Sequence, residues 1–312
     1  MPGRRALLRV AAAAVAGAPL VGAGGCAWRR IPGFGYAPPA FELARPGAPG
    51  RIVLLATVHA GLARFYPLPE AIERAFESAG RLYVELDVES RAAAIREAGR
   101  AFALLPDGAT LETTLSPDTL AALRHAFDDR PGALHAWRRL QPWALALMLP
   151  DADDARMGAG ESGGVERHLL RRARARGLPV VELETADAQV RAYAGGTLAE
   201  QEAALALRLA QREARARTFA RIVDAWRLGD LDALARLKDR AYPPDGPLAP
   251  LRRRLFAERD EAIAGRLAEA LEAPGAAMAL LGAFHVAGPD SVLAALARRG
   301  VSVTRTSHAP SG

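Results

Sequence analysis

Short continuous apolar runs, each followed by an amphipathic stretch and a glycine, set the rhythm of this chain. The first run is Arg51-Ile-Val-Leu-Leu-Ala-Thr-Val-His59. Apolar residues on consecutive positions, several of them β-branched, predict a strand covered on both faces, as in a parallel sheet. The period then lengthens. Between Pro69 and Ala79 the apolar Ile72 and Phe76 stand one helical turn apart, Pro69 suits a first turn, and Gly80 suits the stop. Arg81-Leu-Tyr-Val-Glu-Leu86 predicts a second strand and completes a βαβ unit.

The C-terminal part repeats the plan. Ala277-Met-Ala-Leu-Leu281 predicts a strand, Gly282-Ala-Phe-His285 ends it, Pro289-Asp290 opens a helix to Arg299, and Val301-Ser-Val-Thr-Arg305 predicts another strand. A strand, an [Ala/Gly]-x-x-His block, a Pro-initiated helix, a glycine and a strand therefore occur twice. Between them the pattern is mostly helical, over Asp118 to His135, Gln141 to Leu149, Val165 to Arg176, Leu198 to Leu228 and Leu251 to Leu271. Leu178-Pro-Val-Val-Glu-Leu183 predicts a further strand, and Tyr242-Pro-Pro-Asp-Gly-Pro247 a turn. The expected architecture is an α/β domain over residues 51–305. Its central sheet, mixed or mostly parallel, comes from two related halves with a long helical insertion between them.

The first 25 residues read as an export signal. Arg4, Arg5 and Arg9 form a positive start, and the apolar stretch Val10 to Gly25 is short for a membrane span of about 20 residues. Arg4-Arg5-Ala6-Leu7-Leu8-Arg9 resembles a twin-arginine signal. Cys26 follows Ala23-Gly24-Gly25, the arrangement of a bacterial lipobox with Ala23 where leucine is preferred. The expectation is an exported protein of the periplasm or cell envelope, held to the membrane by a lipid on Cys26. Residues 26–50, rich in Pro and Gly, read as a tether, and residues 306–312 as a tail.

The formal charge of +6 comes from 41 Lys and Arg against 35 Asp and Glu, and Lys238 is the only lysine. A nucleic-acid partner calls for a basic cluster or face. Here the arginines alternate with Glu, Asp and Ala, and the export signal holds half of the excess, so no nucleic-acid partner is expected. A single cysteine excludes an internal disulfide and a Cys-rich zinc site.

Chemistry is left to histidine and carboxylate. Polar ligating residues follow four apolar runs: His59, Glu85, Glu182 or Glu184, and His285. Open parallel sheets bind ligands beyond the carboxyl ends of their strands. Imidazole and carboxylate meeting there would suit zinc, manganese, cobalt or iron, with a spare Glu182 or Glu184 as base or ligand-orienting group. Asp87 and Glu89 compete with Glu85 for that place. His125, His135 and His168 fall on helical stretches and read as solvated face residues, and His308 lies in the tail. Gly160-Glu-Ser-Gly-Gly164 matches G-x-S-x-G without a preceding strand, so Ser162 is not read as a nucleophile.

Several segments together resemble the TraB/GumN family. They are Leu54 to His59, Tyr66-Pro-Leu-Pro-Glu70, Leu82 to Asp87, Gly164-Val-Glu-Arg-His-Leu-Leu170, Val181 to Gln189, Ala225-Trp-Arg-Leu-Gly-Asp-Leu231, and Leu281 to Asp290. The family is similar to the TIKI metalloproteases, and its fold resembles erythromycin-esterase-like and ChaN-like haem-binding proteins. The resemblance implies a divalent-metal-dependent hydrolase of peptides or another small substrate. In it His59, His285 and Glu85 would hold manganese, cobalt or zinc, Glu85 being third ligand or base, and Arg259 would be a catalytic neighbour. The alternatives it leaves are a non-catalytic haem- or metal-binding lipoprotein and a degenerate scaffold of the same fold. The chain departs from the family pattern at Ala56 in place of Gly, at Glu166 in place of Asp, and at Asp260 where Asn follows the arginine.

Overall fold

The computed structural model of the chain describes residues 36–58, 65–127, 131–149 and 164–306. The export signal, Cys26, His59, Ser162 and His308 lie outside the described residues.

Six strands form one sheet: β1 (Ala40–Ala44), β2 (Gly50–Thr57), β3 (Leu82–Val84), β4 (Val180–Glu182), β5 (Gly275–Gly282) and β6 (Ser302–Arg305). Their order is β4-β3-β5-β2-β1-β6. β4, β3, β5 and β2 run parallel, and β1 runs antiparallel between β2 and β6. The sheet is thus mixed and mostly parallel. Leu54, Leu55 and Ala56 of β2 and Met278 to Leu281 of β5 are all fully buried. Successive side chains of a strand point to opposite faces, so these two central strands are covered on both sides.

The repeated plan interlocks. The connection from β2 to β3 passes over β5, and the connection from β5 to β6 passes over β2 and β1 in the opposite direction. Right-handed crossovers that run in opposite directions place their helices on opposite faces of the sheet. α1 (Glu70–Ser78) buries Ile72 and Phe76 within the first crossover, and α14 (Val292–Arg298) buries Val292, Ala295 and Leu296 within the second. β2 and β5 lie side by side with Ala56 opposite Leu281 and Thr57 opposite Gly282, so the two histidine-bearing blocks leave the sheet as neighbours.

Between β3 and β4 lie α2 (Ala92–Phe102), α3 (Leu111–Thr114), α4 (Pro117–Ala126), α5 (Pro131–Trp137), α6 (Pro142–Met148) and α7 (Val165–Ala175). Much of this insertion has its own apolar core, built from Leu111, Leu123, Phe127, Trp137, Trp143 and Leu145 and separate from the core around the sheet. Between β4 and β5 run α8 (Ala186–Ala194), α9 (Leu198–Ala210), α10 (Arg215–Arg227), α11 (Leu231–Ala241) and α12 (Ala249–Arg252). α12 continues through a π-helical segment, Arg253–Ala257, into α13 (Glu258–Ala270). Among the described residues no helix is long and apolar enough to cross a membrane.

Three expectations need correction. The Pro- and Gly-rich stretch expected as a tether to residue 50 contains β1, whose Phe41 and Leu43 are buried and whose Glu42 is exposed. Alternation in a short segment is enough to join a sheet once β2 and β6 supply hydrogen-bonding edges on both sides. The helix expected from Asp118 to His135 ends at Ala126, because Pro131 cannot occupy a helix interior and opens α5 instead. The helix expected from Leu198 to Leu228 is divided by a 3₁₀ turn at Arg212–Ala214. No Gly or Pro marks that break; Gln211 there donates its side-chain amide to Arg240 O (3.2 Å), tying the turn to α11.

Candidate functional site

Functional side chains gather beyond the carboxyl ends of β3, β4 and β5. Glu85 directly follows β3, Glu184 lies two residues past β4, and His285 sits on a 3₁₀ turn, Ala283–Val286, that follows β5. Arg259 and Asp260 come from the first turn of α13. Successive helical residues point about 100° apart, so the arginine reaches the carboxylates while the aspartate reaches the histidine.

Glu85 is held at both oxygens. Gly282 N–H donates to its Oε1 (2.5 Å), and Arg259 Nη2 donates to its Oε2 (3.1 Å). The same Oε2 faces His285 Nε2 at 3.6 Å. Arg259 forks onto Glu184, with Nε to Oε1 at 2.7 Å and Nη2 to Oε2 at 2.6 Å. Its Nη1 donates to the Leu255 carbonyl (3.1 Å), which lies in the π-helical segment. A π segment inside an α-helix is rare and is found often at functional sites; here it supports the arginine and places Phe256 against the His285 ring, centroids 5.5 Å apart. On the far side of the imidazole, Nδ1 is hydrogen-bonded to Asp260 Oδ1. Asp260 is only 1% exposed, and its Oδ2 has no hydrogen-bond partner among the described residues.

The electrostatics follow from this packing. Burial opposes a charged imidazole, but Glu85 and Asp260 outweigh it and hold the His285 pKa above the ordinary histidine value. Burial pushes the Asp260 carboxyl up, against the pull of His285, Lys238 and Arg259. Burial also works against the Arg259 charge, and Glu184 and then Glu85 more than restore it. With Glu184 matched by Arg259, the space between Glu85 Oε2 and His285 Nε2 invites positive charge.

The structure sorts the sequence candidates. Glu85, Glu184, Arg259 and His285 come together. Glu182 does not join them: it pairs with Arg91 Nη2 (2.7 Å) and accepts from the Asp87 backbone N–H (3.1 Å). Asp87 and Glu89, the rivals to Glu85, are both engaged by Arg174, at 2.7 Å and 2.6 Å. His125 and His135 are exposed on α4 and α5, as expected of solvated residues. His168 is not a freely solvated residue: it is half-buried on α7, its ring stacked on Tyr66 with centroids 3.8 Å apart. Among the described residues no group of three His, Cys, Asp or Glu side chains is arranged to hold a metal ion, and His59 lies outside them.

Two neighbours of the site escaped the sequence reading. Glu166, on the first turn of α7, has its pKa pushed up to about 8 by burial, with Glu85 and then Asp87 adding to the effect. Its helix is tied to the end of β2, where Val165 N–H donates to Val58 O (3.2 Å), one residue before His59. Glu166 was visible only as a departure from a family pattern. Tyr193, on α8, lies within electrostatic reach of Arg259, Glu85 and Glu184, and burial raises its pKa. No sequence signal marked it.

The Asp87–Arg174 pair leads to a pH-dependent expectation. Burial raises the Asp87 carboxyl, but the Arg174 and Ser90 hydrogen bonds outweigh it and leave the folded-state pKa below the ordinary value. A depressed carboxylate contributes stability that is present above its unfolded pKa and is lost as pH falls through the folded one. Asp87→Asn is therefore expected to flatten the fall in stability below about pH 4, measured by urea unfolding at several pH values. An unchanged acid limb would show that the pair contributes nothing there.

A mostly parallel sheet with a buried carboxylate–arginine–histidine cluster at its carboxyl ends makes this an α/β protein with one candidate site at that edge. The chain belongs to the TraB/PrgY/gumN family, whose profile matches residues 42–305. It is 29% identical over 164 residues to the uncharacterized protein YbaP of Escherichia coli (strain K12), and to the same degree to the uncharacterized YbaP of Shigella flexneri. The matched segment covers 52% of this chain and 59% of each relative, so the chain spans about three-fifths of the length of the curated relatives it matches. No solved structure matches it.

Proposed function

We propose that this protein is a divalent-metal-dependent hydrolase that acts on peptides, in the manner of the TIKI metalloproteases that the family resembles. The observation that carries the reading is the opposition of His285 Nε2 and Glu85 Oε2 at 3.6 Å, with His285 Nδ1 engaged by Asp260. The donor set fits a cation. A carboxylate on one ring nitrogen orients the ring so that the other nitrogen, on losing its proton to an incoming cation, presents its lone pair, the arrangement of most metal-binding histidines. Glu85 and Asp260 already favour a positive charge at this point.

His285 Nε2, Glu85 Oε2 and the His59 side chain would hold the ion, with manganese, cobalt and zinc the candidates. A divalent cation held there supplies Lewis-acid activation of water and of a scissile carbonyl. Glu85 serves better as ligand than as base, because Gly282 N–H occupies its Oε1 and Arg259 pins its Oε2. Arg259 bridges Glu85 and Glu184 and holds the two carboxylates close together. Glu166, close enough to Glu85 for that carboxylate to help raise its pKa, adds a further carboxyl beside the site. Incubating the purified protein with a peptide library and Mn²⁺, Co²⁺ or Zn²⁺ should give cleavage that EDTA stops and that His59→Ala and His285→Ala each abolish. Wild-type protein that leaves every peptide intact with all three ions would overturn the reading.

We also infer that the protein is exported and lipid-anchored. The support is the sequence of residues 4–26, with its lone Cys26. Labelled palmitate should enter the wild type and not Cys26→Ser; equal labelling of the two would refute the anchor.

A further inference from the structure

Lys238, on α11, is the only lysine of the chain, and it is 0% exposed. Every other one of the 41 lysines and arginines is an arginine. A buried charge is costly unless it is closely partnered, and the partners here share one feature. The ammonium donates to Ala287 O (3.0 Å) and to Asp290 Oδ1 (3.2 Å), and it lies 4.4 Å from the centroid of the Phe256 ring. Ala287 is two residues past His285, and Asp290 opens onto α14, so both partners lie in the short loop that leads from the histidine-bearing turn to α14. Phe256 is the residue whose ring packs on the imidazole. One nitrogen thus grips the turn behind His285 at two points and supports the aromatic face on which its ring rests.

The choice of side chain is consistent with this geometry. Ala287 is fully buried, so its carbonyl has no water to turn to and needs a protein donor. An ammonium is compact and sends its three donors in different directions from one atom, whereas a guanidinium spreads its donors in one plane. A carbonyl, a carboxylate and a ring face grouped around one point suit the compact ammonium. Burial pulls the ammonium below the ordinary lysine range, with Asp290 and Asp260 opposing, which places Asp260, the partner of His285, within its field.

We propose that Lys238 is a positioning residue for His285, its buried ammonium setting the orientation of the imidazole through the Ala287–Asp290 turn and the Phe256 ring. The proposal rests on the reading of His285 as the working side chain of the site. Its test needs neither metal nor substrate, so its failure is separate from failure of the hydrolase reading. Ring-nitrogen spectra of ¹⁵N-histidine-labelled protein report the tautomer and surroundings of each imidazole, and His285→Gln identifies the His285 signal by its loss. Lys238→Met keeps the length and apolar bulk of the side chain without its charge. In that variant the His285 signal should move or broaden beyond detection while the His168 signal stays in place. A His285 signal at its wild-type position in folded Lys238→Met overturns the proposal. If that variant does not fold, Asp290→Asn decides: its side chain is 29% exposed, it keeps an oxygen toward the ammonium, and it removes one charge of the grip. It should displace the same signal, and an unmoved His285 signal there also overturns the proposal.

Discussion

Arg259→Met is expected to lower the free energy of unfolding by about 3–5 kcal/mol, measured by urea unfolding of the metal-free protein. The guanidinium makes two bonds to Glu184, one to Glu85 and one to the Leu255 carbonyl, all in a buried setting. Methionine fills much of the volume but leaves two neighbouring carboxylates without their cation. Breaking a buried ion pair from one side costs far more than the pair contributes over an apolar replacement, because the remaining charge has lost both partner and water. A matching prediction concerns the double variant Arg259→Met with Glu184→Gln. It should lose less than the two single changes taken together, since removing both partners leaves one fewer stranded charge. Strict additivity would mean that the fork seen here does not couple the two residues in solution.

The second large effect concerns ligand binding. His285→Ala is expected to weaken Co²⁺ binding by at least about 100-fold, since even groups that only orient a ligand cost 10–100-fold when removed. Isothermal titration calorimetry of wild type and variant measures this. The variant also removes the partner of Asp260 Oδ1, whose sister oxygen already lacks one among the described residues. His285→Gln therefore serves as a control for local collapse, as it refills the space without restoring an imidazole lone pair. Equal Co²⁺ affinity in wild type and both variants would remove His285 from the metal reading.

What the sequence disclosed depended on how local the cause was. β2 and β5 were legible because strands covered on both faces are apolar at every position, a pattern that Leu54 to Ala56 and Met278 to Leu281 display. β1 was hidden by its flanking Pro and Gly, since its place in the sheet depends on the edges of β2 and β6 rather than on its own composition. The repeated plan suggests two related halves that face each other, and β2 and β5, the strands that lead into the two blocks, are neighbours in the sheet.

The site was legible where residues stood at strand ends. Glu85 and His285 fell out of that rule, whereas Glu182 and Glu184 could not be separated by it. Their separation is tertiary: Arg91 claims the first and Arg259 the second. Asp260 stood out only as a missing asparagine. Its contact with His285 joins residues 25 positions apart through the packing of α13 on the turn after β5, and no local pattern encodes that. Ala56, which departed from the glycine pattern, is simply accommodated: it is fully buried, its N–H donates to Pro39 O, and its carbonyl accepts from Trp226 Nε1 at 2.8 Å. Lys238 stands out in the composition as the one lysine, but only the fold shows that it is buried behind His285.

On the proposed reading Glu85 and His285 hold one divalent ion at the carboxyl ends of β3 and β5. A crystal of the full chain grown with Zn²⁺, with diffraction recorded across the zinc absorption edge, locates the ion directly. A single strong anomalous peak is expected about 2.0–2.2 Å from both His285 Nε2 and Glu85 Oε2. A peak bound elsewhere, or none in a crystal where this site is open to solvent, would contradict it.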